Sequence, residues 1–212
     1  MSAVRWTPRP LTTDEQQQAK SLFTREIPLI TDGSFDDVTG ERARIRSWMS
    51  QKGAPAPRED WLGVVDQGHV LGALHTSPHY GQADQVLRIL GQPGAGDPAW
   101  LSVYVTEVGS LEEVAVDPGY RRQGIASALV RAGLTTLARE GVRAISGFAC
   151  DADAIDLFRA LRFTIGGFHQ PVPPAMAADL KTIWWDLAPD LGRYFWKALP
   201  APGATFGLSR TS

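Results

Sequence analysis

Apolar residues fall at helical spacing in one long stretch of the chain and bunch into short strand-like runs on either side. From Gln123 to Glu140, Ile125, Ala126, Leu129, Val130, Leu134, Leu137 and Ala138 form a single stripe, which predicts an amphipathic helix stopped by Gly141. The run from Leu111 to Val116 before it reads as a strand ending at Pro118, and Ala144 to Cys150 after it reads as a second strand. A further helix starts at Asp151 or Asp153, both good N-caps, with Ala154, Leu157, Phe158 and Leu161 on one face. Phe163 to Phe168 resumes extended structure. A strand–helix–strand unit with a right-handed crossover makes its two strands parallel neighbours.

The lead-in carries the same two patterns. Val4 to Thr7 is expected to be a first strand, followed by a capped helix from about Thr13 to Glu26 and a second helix over Glu41 to Gln51, with Ile45, Trp48 and Met49 on one face. Trp61–Val65 and Val70–His75 form a hairpin through the turn Asp66 to His69. Between His75 and Glu112 the connection is long: a short helix over Ala83–Leu90, a loop over Gly91–Pro98, then extended chain from Ser102 to Val108. The glycines of that loop lack dinucleotide-binding spacing and open no helix, so a plain turn is expected. After a stiff His169–Pro174 loop come a short helix over Ala175–Leu180 and a strand over Lys181–Leu187. Tyr194, Phe195 and Trp196 follow in a segment expected to be helical, and Pro202–Ser212 is a loose tail. The expectation is one domain over residues 1–200, with an insertion around 76–110 and a flexible 201–212.

The chemistry is concentrated at the start of the long helix. Arg121, Arg122, Gln123, Gly124, Ile125 and Ala126 make a basic turn that opens directly into it, with no carboxylate in the first helical turn. Free N–H groups at a helix N-terminus beside two arginines form an anion site suited to phosphate. A solvated turn is the plainer alternative, and the strand and helix that follow favour the site.

This stretch resembles the GNAT superfamily of acyl-CoA-dependent N-acetyltransferases, whose pyrophosphate motif Gln/Arg-x-x-Gly-x-Gly/Ala is matched by Arg121 to Ala126. The second helix resembles the family's Asn-x-x-Ala-x-x-Phe-Tyr-x-x-x-Gly-Phe signature through Asp151, Ala154, Leu157, Phe158, Arg162 and Phe163. The resemblance spans Leu111 to Phe168. It implies an α/β (α+β) fold: a mixed, mostly antiparallel central sheet with helices on both faces and a parallel, splayed strand pair at the CoA site. It also implies acetyl-CoA as the acetyl donor. The pyrophosphate would lie on amides from Arg122 to Ala126, helped by the Arg121 and Arg122 charges, and the pantetheine arm on Val114, Ala115 and Val116, with Asp151 and Phe158 also at the cofactor. An N–H near Val114 would polarise the thioester carbonyl.

Three positions depart from the family pattern: Asp151 replaces Asn, Phe158 replaces Tyr and Arg162 replaces Gly. The family tyrosine commonly protonates the leaving thiolate, which Phe158 cannot do. A thiol titrating near ~8.5 leaves readily without such help. Tyr80, Tyr104 and Tyr194 are other candidates. An amine acceptor must lose a proton before attack, so a base is needed. Strict alternation puts Glu112 on the face of Val114 and Val116, and Glu113 on the other. By the parity of the family's base, Glu112 is the first candidate and Glu113 the second. A surface carboxylate is the plainer alternative for each.

Composition narrows the partners. The 212 residues carry 21 Lys and Arg against 23 Asp and Glu with no long basic run, which argues against nucleic acid. No apolar stretch approaches the ~18 residues of a membrane span, and the N-terminus lacks a signal-peptide core. A lone cysteine, Cys150, fits a cytoplasmic protein and is expected to be a small buried residue rather than a nucleophile. Pro78 breaks any helix that would align His75 with His79, so no metal site is expected, and all four histidines read as structural or exposed. The aromatic cluster near Tyr194 leaves a homodimer open. Two functions remain: an N-acetyltransferase acting on a primary amine of a small molecule or peptide by direct attack in a ternary complex, or a non-catalytic acyl-CoA sensor.

Overall fold

The computed structural model describes residues 6–27, 40–52, 58–81, 83–84, 87, 99–167 and 192–200. The loops expected at 91–98 and 169–174, the helix at 175–180, the strand at 181–187 and the tail from 202 lie outside them. Among the described residues, seven strands form one sheet. They are β1 (Arg9–Pro10), β2 (Asp60–Asp66), β3 (His69–Pro78), β4 (Val108–Val116), β5 (Ala144–Ala149), β6 (Thr164–Ile165) and β7 (Arg193–Ala198). Their order is β1-β2-β3-β4-β5-β7-β6, and every neighbouring pair is antiparallel except β4 and β5. The helices are α1 (Thr13–Glu26), α2 (Glu41–Gln51), α3 (Ala99–Glu107), α4 (Ile125–Arg139) and α5 (Ala152–Ala160).

Local chemistry accounts for the boundaries. Thr12 and Glu15 close a reciprocal capping box on α1, with Thr12 N–H donating to Glu15 Oε2 at 2.9 Å. The β2–β3 turn puts Gln67 (φ 47°) and Gly68 (φ 80°) in the left-handed region, the backbone that a two-residue hairpin requires. Asp151 caps α5 by accepting the Ala154 N–H at 2.7 Å.

The sheet is covered on both faces. The α4 stripe of Ile125, Leu129, Val130, Leu134 and Leu137 packs on Leu62, Leu74, Leu111 and Val116. On the other face α1 lays Ala19, Leu22 and Phe23 over Ala73 and Ala115. Beside α1 on that face, Ile45 and Met49 of α2 meet Leu101, Val105 and Val108. Burying each such Leu, Ile or Phe contributes roughly 1.5–3 kcal/mol.

Four expectations are corrected. The first strand is Arg9–Pro10, not Val4–Thr7; Trp6 and Thr7 are irregular, and residues 4 and 5 lie outside the described set. A proline is tolerated there because the strand lies at the sheet edge. Ser102–Glu107 is helical rather than extended, because Leu101 and Val105, four residues apart, are both buried against α2. The segment with Tyr194, Phe195 and Trp196 is a strand paired with β5, with Phe195 turned into the core. The short helix expected from Ala83 already has helical backbone at Tyr80 and Gly81.

A register shift in β4 is a fifth difference and the one that shapes the site. His75 pairs with Glu113, but the next residue of β3, Thr76, pairs with Leu111, so Glu112 is an inserted bulge residue. Alternation is therefore broken. Leu111, Val114 and Val116 all pack toward α4, whereas Ala115 packs under α1. Glu112 and Glu113 both bond to odd-numbered residues of β3, Ser77 and His75, which share the opposite face. Glu112 thus does not share a face with Val114 and Val116.

Candidate active site

The parallel pairing of β4 with β5 runs from Val108 and Ala144 only as far as Leu111 and Gly147. Beyond that point the strands part, and a cleft of about 580 Å³ opens between them, bounded at one end by the start of α4. Gly147 stands at the fork because a side chain there would meet the Phe195 ring at 2.3 Å and the Leu111 carbonyl oxygen at 2.8 Å. The cleft is lined by β4 from Leu111 to Val116, by Arg121, Arg122 and Gly124 to Ser127, and by Cys150, Asp151, Leu157 and Phe158. Glu26 and Ile27 at the end of α1, with Phe148, also line it. The sequence did not single these three out, because they come together only through tertiary packing.

The turn into α4 is built for close approach. Arg122 (φ 61°) and Gly124 (φ 84°) both occupy the left-handed region, which folds the chain sharply into the helix. Gly124 caps α4 without a side-chain hydrogen bond, and the first turn holds no acid. The amides at this end therefore keep their donor capacity and the positive end of the helix dipole. Trp6 Nε1 donates to the Gln123 carbonyl at 3.0 Å and fixes the loop.

The two arginines play different parts. Arg121 donates from Nε to the Val116 carbonyl at 3.2 Å and pairs with Glu26, tying the end of β4 to α1. Arg122 is mostly exposed and, among the described residues, pairs with Asp153 at 3.8 Å. Ile125 and Ala126 follow on the inner side, Ile125 buried and Ala126 half-buried.

The far wall is apolar. Phe158 is 2% exposed and stacks on Phe195 with ring centres 3.7 Å apart, while Phe163 meets both rings edge-on. Asp151 is engaged as the α5 cap. Cys150 is half-buried at the end of β5, and burial, with Asp151 nearby, raises its thiol pKa, which leaves it unactivated.

The carboxylates stand at the bulge. Ser77 Oγ donates to Glu112 Oε1 at 2.6 Å, and Oε2 accepts no hydrogen bond from a described residue. Glu113 is 8% exposed and its Oε2 lies 2.6 Å from His75 Nδ1. The structure thus brings both acids to one side of the cleft, with only Glu112 partly open. His75 escaped the sequence reading as a structural histidine; its signal was a polar ring inside the Val70–His75 run, opposite Glu113 in the antiparallel register. His79 is buried, and burial drives its pKa down to about 3, so it is neutral. Among the described residues no group of His, Cys, Asp or Glu is arranged to hold a metal ion, and no helix is long and apolar enough to cross a membrane.

A sequence model of the acetyltransferase (GNAT) family matches residues 28–163. No individual curated protein matches the chain. Solved structures with the same fold include the ribosomal-protein-S18-alanine N-acetyltransferase of Escherichia coli, 20% identical over 95% of this chain and 97% of that one, with a TM-score of 0.51. Ard1 from Thermoplasma volcanium is 15% identical over 93% and 99% of the two chains, with a TM-score of 0.51. A GNAT family N-acetyltransferase (YhbS) from Escherichia coli in complex with CoA is 19% identical over 94% and 84%, with a TM-score of 0.51. At such identities the likeness is one of fold.

Proposed function

The chain belongs to the GNAT acetyltransferase family, and on that premise we propose that it moves an acetyl group from acetyl-CoA to a primary amine of a small molecule or peptide. The observation that carries this reading is the cleft itself. Its uncapped helix terminus, its two left-handed turn residues and its parted strands meet along one continuous groove. Those features fit an acyl-CoA. Amides from Arg122 to Ala126 would receive the pyrophosphate, with Arg122 supplying the nearby charge and Arg121 positioning the turn. The β4 backbone at Val114, Ala115 and Val116, past the last β5 pairing, would receive the pantetheine arm. Acetyl-CoA supplies an electrophilic thioester carbonyl.

The residues of the chain then have two tasks. They hold the acceptor nitrogen beside that carbonyl, since most of the acceleration in such a transfer comes from bringing the reactants together. They also remove the ammonium proton. Glu112 is the base in this reading: Ser77 orients one of its oxygens, and the other is unoccupied by any described donor. Glu113, deep against His75, is the less available of the two. No tyrosine stands at Phe158, so the leaving thiolate departs unassisted there and takes its proton from solvent.

Calorimetric titration with acetyl-CoA tests the donor site, with one-to-one binding expected; absence of binding by folded protein would refute the reading. A non-catalytic acyl-CoA sensor is the second reading, favoured by Phe158 alone. It predicts the same binding without amine-dependent release of CoA.

A further inference from the structure

His75 is wholly buried in β3, yet its ring is bracketed by acids. Nδ1 lies 2.6 Å from Glu113 Oε2, and Nε2 points toward Glu59 Oε2 at 3.8 Å without a hydrogen bond of its own. The ring stacks on Trp61 at 4.1 Å. The charged and titratable groups facing it are Glu112 and Glu113 from β4 and Glu59 ahead of β2. Behind Glu59 stand Tyr80 and, from α2, Arg42 and Arg46; Lys20 of α1 lies 6.0 Å from the Trp61 ring. Tyr80 Oη donates to Glu59 at 2.9 Å and Arg46 pairs with it at 2.5 Å. Glu59 is thus compensated from the α2 side, and among the described residues Glu113 pairs with His75 alone.

The bulge sets two carboxylates side by side on one strand and turns both to one face. Two like charges on one face make it costlier to ionise both, unless a cation compensates one of them. Ser77 gives Glu112 a neutral hydrogen bond, so among the described residues the cation that bonds to this pair is His75. We propose that His75 is a positioning residue of the reaction: as an imidazolium locked onto Glu113, it compensates one of the paired carboxylates and leaves Glu112 free to accept the amine proton at neutral pH. The inference rests on Glu112 being the base. Burial by itself would depress the imidazole, but the bond to Glu113 and the neighbouring acids outweigh it and raise its pKa above the ordinary value.

Removing the imidazolium charge leaves Glu113 uncompensated on the face that Glu112 shares, so the acidic limb of kcat/KM moves up by about one pH unit. His75→Asn keeps a donor near the Nδ1 position without a charge, and His75→Leu removes both. Both variants are expected to show the shifted limb, with KM for acetyl-CoA unchanged. A wild-type limb in His75→Asn overturns the inference, since a hydrogen bond alone then suffices. Wild-type protein gives an independent readout by 15N NMR of the imidazole. Both ring nitrogens are expected to be protonated at pH 7 and to lose this in Glu113→Gln; a neutral ring in wild type overturns the inference. The underlying reading fails separately. Full activity in Glu112→Gln removes Glu112 as base whatever His75 does. Activity lost in Glu112→Gln with an unmoved limb in His75→Asn removes the role of His75 alone.

Discussion

Gly124→Ala separates what the turn into α4 does for stability from what it does for ligand binding. Gly124 sits at φ 84° and a Cβ built there meets nothing within 4 Å, so the substitution adds no clash. Its cost is conformational, about 1–2 kcal/mol for an L-residue in the left-handed region, partly offset by ~0.4–1 kcal/mol from a less flexible unfolded chain. The net is about 1 kcal/mol, or a Tm lower by roughly 2–4 °C in a chain of this size. Gly141, at φ 91° with equally open surroundings, ends the same helix away from the cleft and provides the control. Gly141→Ala should lose the same stability. Binding should split the two. In the proposed reading the new methyl at Gly124 would occupy space that the pyrophosphate needs, and losing one charge-assisted amide contact would cost about 1.5–3 kcal/mol, or roughly 10- to 150-fold in Kd for CoA. Thermal melts and calorimetric titration measure both quantities on the same samples. Equal weakening of CoA binding by the two variants, or none by either, would refute the phosphate cradle.

Other substitutions probe the rest of the site. Phe195→Ala removes the ring stacked on Phe158 and should cost about 3–5 kcal/mol in urea unfolding, with the cleft wall lost as well. Phe158→Tyr restores a hydroxyl at the family's acid position. It should change kcat in a thiol-release assay by less than about threefold, because the thiolate is already a fair leaving group; a tenfold gain would mean that protonation limits turnover. Glu59 is held down to about 2: burial opposes its charge, but His75, Tyr80, Arg42 and Arg46 prevail. A lowered pKa gives stability that is present above the ordinary carboxylate range and lost as pH falls toward about 2. Urea midpoints of wild type should therefore drop more steeply below pH 4.5 than those of Glu59→Gln, and parallel curves would contradict the assignment.

The parts of the fold written in local chemistry were legible in the sequence. The α4 stripe, the Thr12 and Asp151 caps, the Gln67-Gly68 turn and the parallel crossover each follow from a few neighbouring residues. What escaped depends on contacts distant in sequence. Val103, Val105 and Thr106 favour extended chain, yet Ala99–Glu107 is a helix because Leu101 and Val105 find α2 beneath them. Tyr194-Phe195-Trp196 has no strong period of its own, and pairing with β5 decides its state. The bulge at Glu112 has no sequence signal, since no glycine or proline marks it. That one extra residue moves Glu112 to the face of Glu113 and brings His75 and Ser77 into the site.

The most direct measurement is CoA release from acetyl-CoA over a panel of primary amines, with the products weighed by mass spectrometry, for wild type and Glu112→Gln. Wild type should give amine-dependent release and a product heavier by one acetyl group. Glu112→Gln should bind acetyl-CoA unchanged and turn over slower by about 10²-fold or more. Tight acetyl-CoA binding with no release to any amine would contradict catalysis and leave the sensor.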